Sequence, residues 1–292
     1  MLTDISQIES LHKYSHSAMA TVFDIFIQSD DENYSGQAAW EAFKEIDRLE
    51  EELSRFNPNS EVSRINNSAP GERLIVSPDI FECVRESLEL KKLTMGAFDI
   101  AYFNSAEISA AENLLLNNDE MSIMRLDERI CIDLGGIGKG YAVEKIEEIL
   151  REWEITRALI SGGFSSVKAV GSPDGFDGWP ISISNPVSNS ETILNFYMQD
   201  YSVSGSGLKK GMHIIDPSTG KPSMSKTACW ALARSAIVSE ALSTAFMILD
   251  ESKVKNICDG NDGFYSVILN SDYLSTKNIF KAGNSSVIKK ID

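Results

Sequence analysis

The chain has 292 residues, 42% hydrophobic and 24% charged, the balance of a globular protein with a substantial core. Its 43 acidic against 27 basic residues leave a formal charge of -16, which repels phosphate backbones and argues against nucleic acid as a partner. No stretch reaches the ~18 apolar residues of a membrane span, and the cysteines, Cys83, Cys131, Cys229 and Cys258, are too scattered to suggest a zinc site.

Residues 1–17 read as a polar arm, with His12 and His16 solvated. The arm lacks the basic segment, apolar run and lipobox cysteine of an export signal. As it stands the chain reads as cytoplasmic, or as an exported lipoprotein whose leader has been removed. "MATVFDIFIQ" (19–28) is apolar and β-branched and predicts a strand. The spacing of Ala39, Phe43, Ile46, Leu49 and Leu53 predicts an amphipathic helix over 35–56, capped near Ser35 and stopped at Asn57-Pro58. A second helix comes next over 77–96, with Ser77 as N-cap, Pro78 in the first position and Gly96 beyond its end.

Segment 103–130 suggests a short helix, a loop and a strand. "RICIDLGGIGKGYAVEKIEEILREW" (129–153) reads as strand, glycine turn and helix. Strands are predicted at 157–161, 165–170, 179–184, 192–199, 228–236 and 263–270, with a helix at 238–249. This order has no strict βαβ alternation. It predicts one α+β domain over 18–292, with mainly antiparallel sheets and outer helices.

Four segments could carry chemistry. Gly135, Gly136, Gly138 and Gly140 lead into a helix with Lys139 between the last two. Such a loop lets backbone approach a ligand and offers free N–H groups to phosphate, yet a plain strand-to-helix turn would look the same. On the helix "EALST", Glu240, Ser243 and Thr244 share a face. That oxygen set suits a hard cation such as Mg²⁺, or else Glu240 only faces water. Asp99, between Phe98 and Ile100, is an acid among apolar neighbours. His213 stands at the mouth of the turn "DPSTGKP" and reads as a structural hydrogen-bonder or as a proton acceptor.

In order, "MAT", "LSRFNPNSEVSRIN", "GAFD", "DLGGIGKGYAV", "SGGFSSVKAVG", "SGSGLKKGMHIIDPSTGKP" and "EALSTA" resemble the motifs of the FAD:protein FMN transferases, the ApbE family, over about residues 17–250. The resemblance implies a flavin-transferase fold with a cofactor cleft. It also implies binding of FAD and Mg²⁺ and transfer of FMN to a threonine hydroxyl of an acceptor flavoprotein, with release of AMP. His213 then matches the residue that takes the threonine proton. Met19, Phe56, Ala97, Phe98, Asp99, Lys139 and Tyr141 fall at cofactor positions, and Gly138, Glu240 and Thr244 at metal positions. This chain departs from the family pattern in Glu240, where aspartate is usual, in Phe56 for a tyrosine, in "GGFSS", and in a missing tyrosine after Ser-Gly. A flavin binder without transfer activity, or a metal-dependent FAD pyrophosphatase, are the alternatives those departures leave.

Overall fold

The computed structural model describes residues 5–101, 110–163, 165–187, 191–271 and 278–291. The first elements are β1 (Leu11–Ala18), β2 (Thr21–Gln28), α1 (Glu32–Leu53), α2 (Glu61–Asn67), β3 (Arg73–Ile75) and α3 (Pro78–Leu93). Next come α4 (Ala110–Asn113), β4 (Leu114–Asn117), β5 (Ser122–Arg125), α5 (Gly138–Glu152), β6 (Ala158–Gly162), β7 (Ser166–Val170), β8 (Trp179–Ser184) and β9 (Thr192–Met198). The chain ends with β10 (Ser202–Gly207), β11 (Ile215–Asp216), β12 (Lys221–Pro222), β13 (Lys226–Ala233), α6 (Ala236–Phe246), α7 (Glu251–Asp259), β14 (Tyr265–Asn270), β15 (Ile279–Gly283) and β16 (Lys289–Lys290).

Eight strands form the main sheet in the order β1-β2-β6-β7-β10-β13-β14-β15, every neighbouring pair antiparallel. Both faces are covered, which β13 makes plain, because all its residues are buried. Cys229 and Ala231 point into a core shared with α1, α3, α5, α6 and α7. Ala228, Trp230 and Leu232 point into a second core beneath the three-stranded sheet β16-β9-β8. Trp179 anchors this second core, fully buried, with its indole N–H donating to the Val170 carbonyl at 3.1 Å. The α+β class and antiparallel sheets stand as the sequence implies.

The differences are local. From Leu11 on, the expected polar arm is strand β1, paired with β2 along its whole length. Its outer side chains are polar because it is an edge strand, so composition alone reads as coil. His12 Nε2 donates to the Ser29 carbonyl (2.9 Å) and His16 meets Asp47 at 2.6 Å, so neither is simply solvated. The cap of α1 is Asp31, which accepts from the Tyr34 N–H, and not Ser35. The expected strand at 129–133 has no strand partner among the described residues. There the Asn66 side chain holds the Ile132 N–H (2.7 Å) and carbonyl (2.9 Å), doing the work of a neighbouring strand. Of the short helix, loop and strand expected over 103–130, the part before residue 110 lies outside the described residues. From there on the chain forms α4, β4 and β5. The four cysteines are free.

Candidate active site

A cleft of about 570 Å³ opens where the C-terminal end of β10, the start of α5, one face of α6 and the loop after β10 meet. The start of α5 is unusual in its cap. Ile137 stands in the N-cap position and offers no side-chain acceptor. The third N–H of the helix, that of Gly140, instead donates to Glu240 Oε2 at 2.5 Å, across from α6. Glu240 Oε1 takes the Lys139 ammonium. One carboxylate from a neighbouring helix thus satisfies an orphan amide and faces a cation, where the helix dipole also favours negative charge.

The reverse contact exists too. Glu144 Oε1, on α5, accepts the Ala236 N–H at 2.6 Å at the first turn of α6. Two helices that exchange carboxylates in this way must lie very close. Gly140 permits it: a Cβ there would stand 2.5 Å from the Ala236 carbonyl oxygen.

Hydroxyls fill the rest of this wall. β10 presents Ser202, Ser204 and Ser206 on one side, the two-residue period of a strand. They meet Ser239 and Ser243 of α6, four residues apart on one helical face. Ser204 and Ser239 are 2.8 Å apart, and Ser206 and Ser243 2.8 Å. Ser206 also reaches Thr244 Oγ1 at 3.2 Å. The ladder ends at the cleft, so Ser206, Ser243 and Thr244 are on its surface beside Glu240.

His213 also lines the cleft, exposed, with Nδ1 2.9 Å from the Gly211 carbonyl. A carbonyl only accepts, so Nδ1 carries the proton in this contact, and in the neutral ring the lone pair is then on Nε2. The His213 loop is pinned to the end of α6. Ser223 N–H donates to the Ile214 carbonyl (2.9 Å), and Ser223 Oγ to the Met247 carbonyl (2.7 Å). Buried Lys226 donates to the Phe246 carbonyl at 2.5 Å and also to that of Leu249. Burial lowers the pKa of this lysine, and the helix-end carbonyls receive its charge.

The three acids that line the cleft are all paired. Lys91 meets Asp99 at 2.5 Å, Arg55 meets Asp133 at 2.8 Å, and Lys139 meets Glu240. Lys209, also on the cleft, is exposed and has no ion pair among the described residues. Lys209 thus brings to the cleft a positive charge with no carboxylate on it, inside an acidic protein.

Of the residues singled out in the sequence, Ala97, Phe98, Asp99, Gly135, Gly136, Lys139, His213, Glu240, Ser243 and Thr244 come together here. Gly138, Gly140, Met19, Phe56 and Tyr141 do not line the cleft. Gly138 is buried one residue before Lys139. Met19 forms the β1–β2 turn with φ 51° and packs against the helical core. Phe56 is 79% exposed with the Arg55 guanidinium over its ring. Tyr141 is 1% exposed and donates to Asp79 at 2.6 Å, and burial pushes its phenol well above its ordinary pKa. Ser206, Asp133, Lys209 and Trp230 line the cleft without having been anticipated. For Ser206 a signal was present, the alternation of serines at 202, 204 and 206 ahead of Ser239 and Ser243.

The donor set suits Mg²⁺ in kind. Glu240, Thr244, Ser206 and Ser243 offer only oxygens, which a hard cation prefers. The Lys139 ammonium on Glu240 marks the spot as one that accepts positive charge. Among the described residues no group of three or more His, Cys, Asp or Glu could hold a metal unaided. The set fits a cation that takes its remaining ligands from substrate phosphate and water, as Mg²⁺ commonly does.

The structure matches the flavin transferase ApbE from Vibrio cholerae with a TM-score of 0.82, at 21% identity, over 95% of this chain and 98% of that one. It matches the ApbE protein of Thermotoga maritima with a TM-score of 0.81, at 22% identity, over 93% and 97%. The FAD:protein FMN transferase of Vibrio cholerae serotype O1 is 25% identical over 266 residues, 78% of this chain and 79% of that protein. The family model described as "ApbE family" matches residues 19–108 and 103–268, and the chain belongs to that family.

Proposed function

We propose that this protein transfers FMN from FAD to a threonine hydroxyl of an acceptor flavoprotein, with Mg²⁺, and releases AMP. One observation carries the reading: segments 97–99, 135–139, 206–213 and 240–244, distant in sequence, converge on a single cleft lined by the His213 imidazole, whose Nδ1 lies against the Gly211 carbonyl. Family membership and relatives named for this activity support it.

In this reading the acceptor hydroxyl meets His213 Nε2, while the Gly211 carbonyl holds Nδ1–H and fixes the tautomer. The hydroxyl oxygen attacks the phosphorus on the FMN side of the pyrophosphate. That P–O bond forms, the P–O bond to AMP breaks, and the hydroxyl proton passes to Nε2. Lys139 and Lys209 are the cations nearest to hold the pyrophosphate, and Gly135 and Gly136 let backbone come close to it. Glu240, Thr244 and Ser206 would hold Mg²⁺, which when bound neutralises phosphate charge.

The test is incubation with FAD, Mg²⁺ and a threonine-bearing acceptor domain. The expected result is an acceptor heavier by one FMN phosphoryl unit and an equal amount of AMP. Removing the imidazole by His213→Ala should lower the rate about 10²–10⁴-fold, the usual range for a lost general base, with FAD binding kept. No modified acceptor, under conditions where the Vibrio cholerae relative modifies it, would overturn the reading. AMP and free FMN without any acceptor would assign water as the acceptor instead.

A further inference from the structure

Lys139 and Glu240 pair at the point where the cleft gathers its oxygen donors. Glu240 is nearly buried, its side chain 7% exposed, and both its oxygens are taken, one by the Gly140 amide and one by the Lys139 ammonium. The amide is fixed by the backbone of α5. The ammonium is not: Lys139 is 24% exposed, on a four-carbon chain, and already faces the cleft. A divalent cation and an ammonium drawn to the same carboxylate oxygen repel each other at contact distance, and in so poorly solvated a place little screens them.

We propose that Lys139 occupies the cation position of the empty cleft as a tethered counter-ion, and that a pyrophosphate-bearing substrate opens the position by drawing Lys139 onto its own oxygens. This inference rests on the functional reading above. The two ligands then bind as a pair. Without substrate, a divalent cation must displace the ammonium and finds one carboxylate and a few hydroxyls. With substrate, Lys139 has a better partner in the phosphates, Glu240 Oε1 becomes free, and the phosphate oxygens complete the cation's shell. Thermodynamic linkage requires that the factor by which FAD tightens the cation equals the factor by which the cation tightens FAD.

The chain carries glutamate, rather than the usual aspartate of the resemblance, at this point. The extra methylene lets one carboxylate touch residues 139 and 140 together, which gives the counter-ion its seat. Elsewhere in the cleft no equivalent exchange offers itself, since Asp99 and Asp133 face Lys91 and Arg55 and not the hydroxyl wall.

The experiment is a calorimetric titration of Mn²⁺ or Mg²⁺ into the purified protein, with no acceptor present, alone and with saturating FAD, ADP or riboflavin. The wild type should bind the cation at least about tenfold more tightly with FAD or ADP, within the usual span of allosteric coupling. Riboflavin, which has no phosphate, should leave the affinity unchanged. In Lys139→Met the cation should bind more tightly than in wild type when no nucleotide is present. Lys139→Arg keeps the charge and should behave like wild type; its melting curve and that of the methionine variant report folding. Equal cation affinity in wild type and Lys139→Met without nucleotide, or tightening by riboflavin as strong as by ADP, overturns the proposal. These titrations score binding alone, so their outcome is separate from whether transfer to an acceptor occurs.

Discussion

At the scale of single residues, Glu240 has more to do than its place in the sequence suggests. Read on a helix it is either a metal ligand or a solvated acid, and alanine would then be well tolerated there. In the structure it also completes the first turn of another helix. Glu240→Ala leaves the Gly140 amide and the Lys139 ammonium without an acceptor, and an unmet buried donor costs about 1–3 kcal/mol. The expected outcome is a drop in stability of that size on urea unfolding, together with loss of the FAD-dependent cation binding. A variant with wild-type stability and wild-type cation binding would refute both roles. Glu240→Asp retracts the carboxylate by ~1.5 Å, about one C–C bond. It cannot serve residues 139 and 140 together, so transfer activity should fall although the family's usual residue is restored.

At the scale of elements, α5 and α6 close each other's first turns, with Glu240 acting on α5 and Glu144 on α6. Burial raises the pKa of Glu144 above its ordinary 4.5, against hydrogen bonds from Ser235 and from the amides of Ile237 and Ala236 that lower it. A folded-state value above the unfolded one means that the folded protein holds this proton more tightly. The stability contributed is greatest below pH 4.5, falls as the pH climbs through the folded pKa, and is lowest above it. Glu144→Gln keeps an oxygen for the Ala236 amide and removes the ionisation. Its melting temperature relative to wild type should therefore rise with pH across that window. A constant difference would exclude Glu144 as the titrating group. Gly140→Ala tests the crossing itself. Its Cβ would meet backbone, which cannot move aside as a side chain can, so the helices must shift. The expected sign is weaker binding of FAD together with lower stability.

How far the sequence revealed these elements depended on which force shaped them. The helices were legible where apolar spacing is regular, as in α1, α3 and α5, and so were the β-branched strands. β10 was not, because "SVSGSG" is built of residues that strands generally avoid; its place is decided by hydroxyl contacts with α6 and by its neighbours β7 and β13. The segment around Ile132 has a strand's composition but takes its hydrogen bonds from Asn66, a long-range partner with no local trace. The cleft was legible in part. Motif residues on α5, α6 and the histidine loop meet there, whereas Tyr141 turned into the core because helical spacing puts it on the apolar face with Ala142, Val143 and Ile146. Lys91 and Arg55 could not be read as neighbours of the cleft, since ion pairing depends on the tertiary fold.

At the scale of the whole molecule, net charge and local charge oppose one another. A chain of charge -16 repels anionic FAD over long distances, while Lys139 and Lys209 attract it once it arrives. Salt screens the long-range part first, with a Debye length of ~30 Å at 0.01 M falling to ~8 Å at 0.15 M. FAD association should therefore quicken, not slow, as salt rises from about 0.01 to 0.15 M, the reverse of ordinary electrostatic steering. Stopped-flow flavin fluorescence measures it, and a steady decline would show that the cleft lysines dominate at all distances. The two cores share a single sheet, so damage to one should be felt by the other. Trp179→Ala, in the core farther from the helices, should cost about 3–5 kcal/mol and shift one common unfolding transition.

The exchanged carboxylates of α5 and α6 also have a consequence in time. Neither helix can fray at its start without releasing an acceptor that belongs to the other, so their opening should be one event. In a deuterium-exchange experiment the amides of Gly140 and Ala236 should become labile at the same rate, and should be slowed together when FAD fills the cleft. In Glu144→Gln, where one of the two ties is weakened, the acceleration should appear at Gly140 as well as at Ala236, on a helix the substitution does not cap.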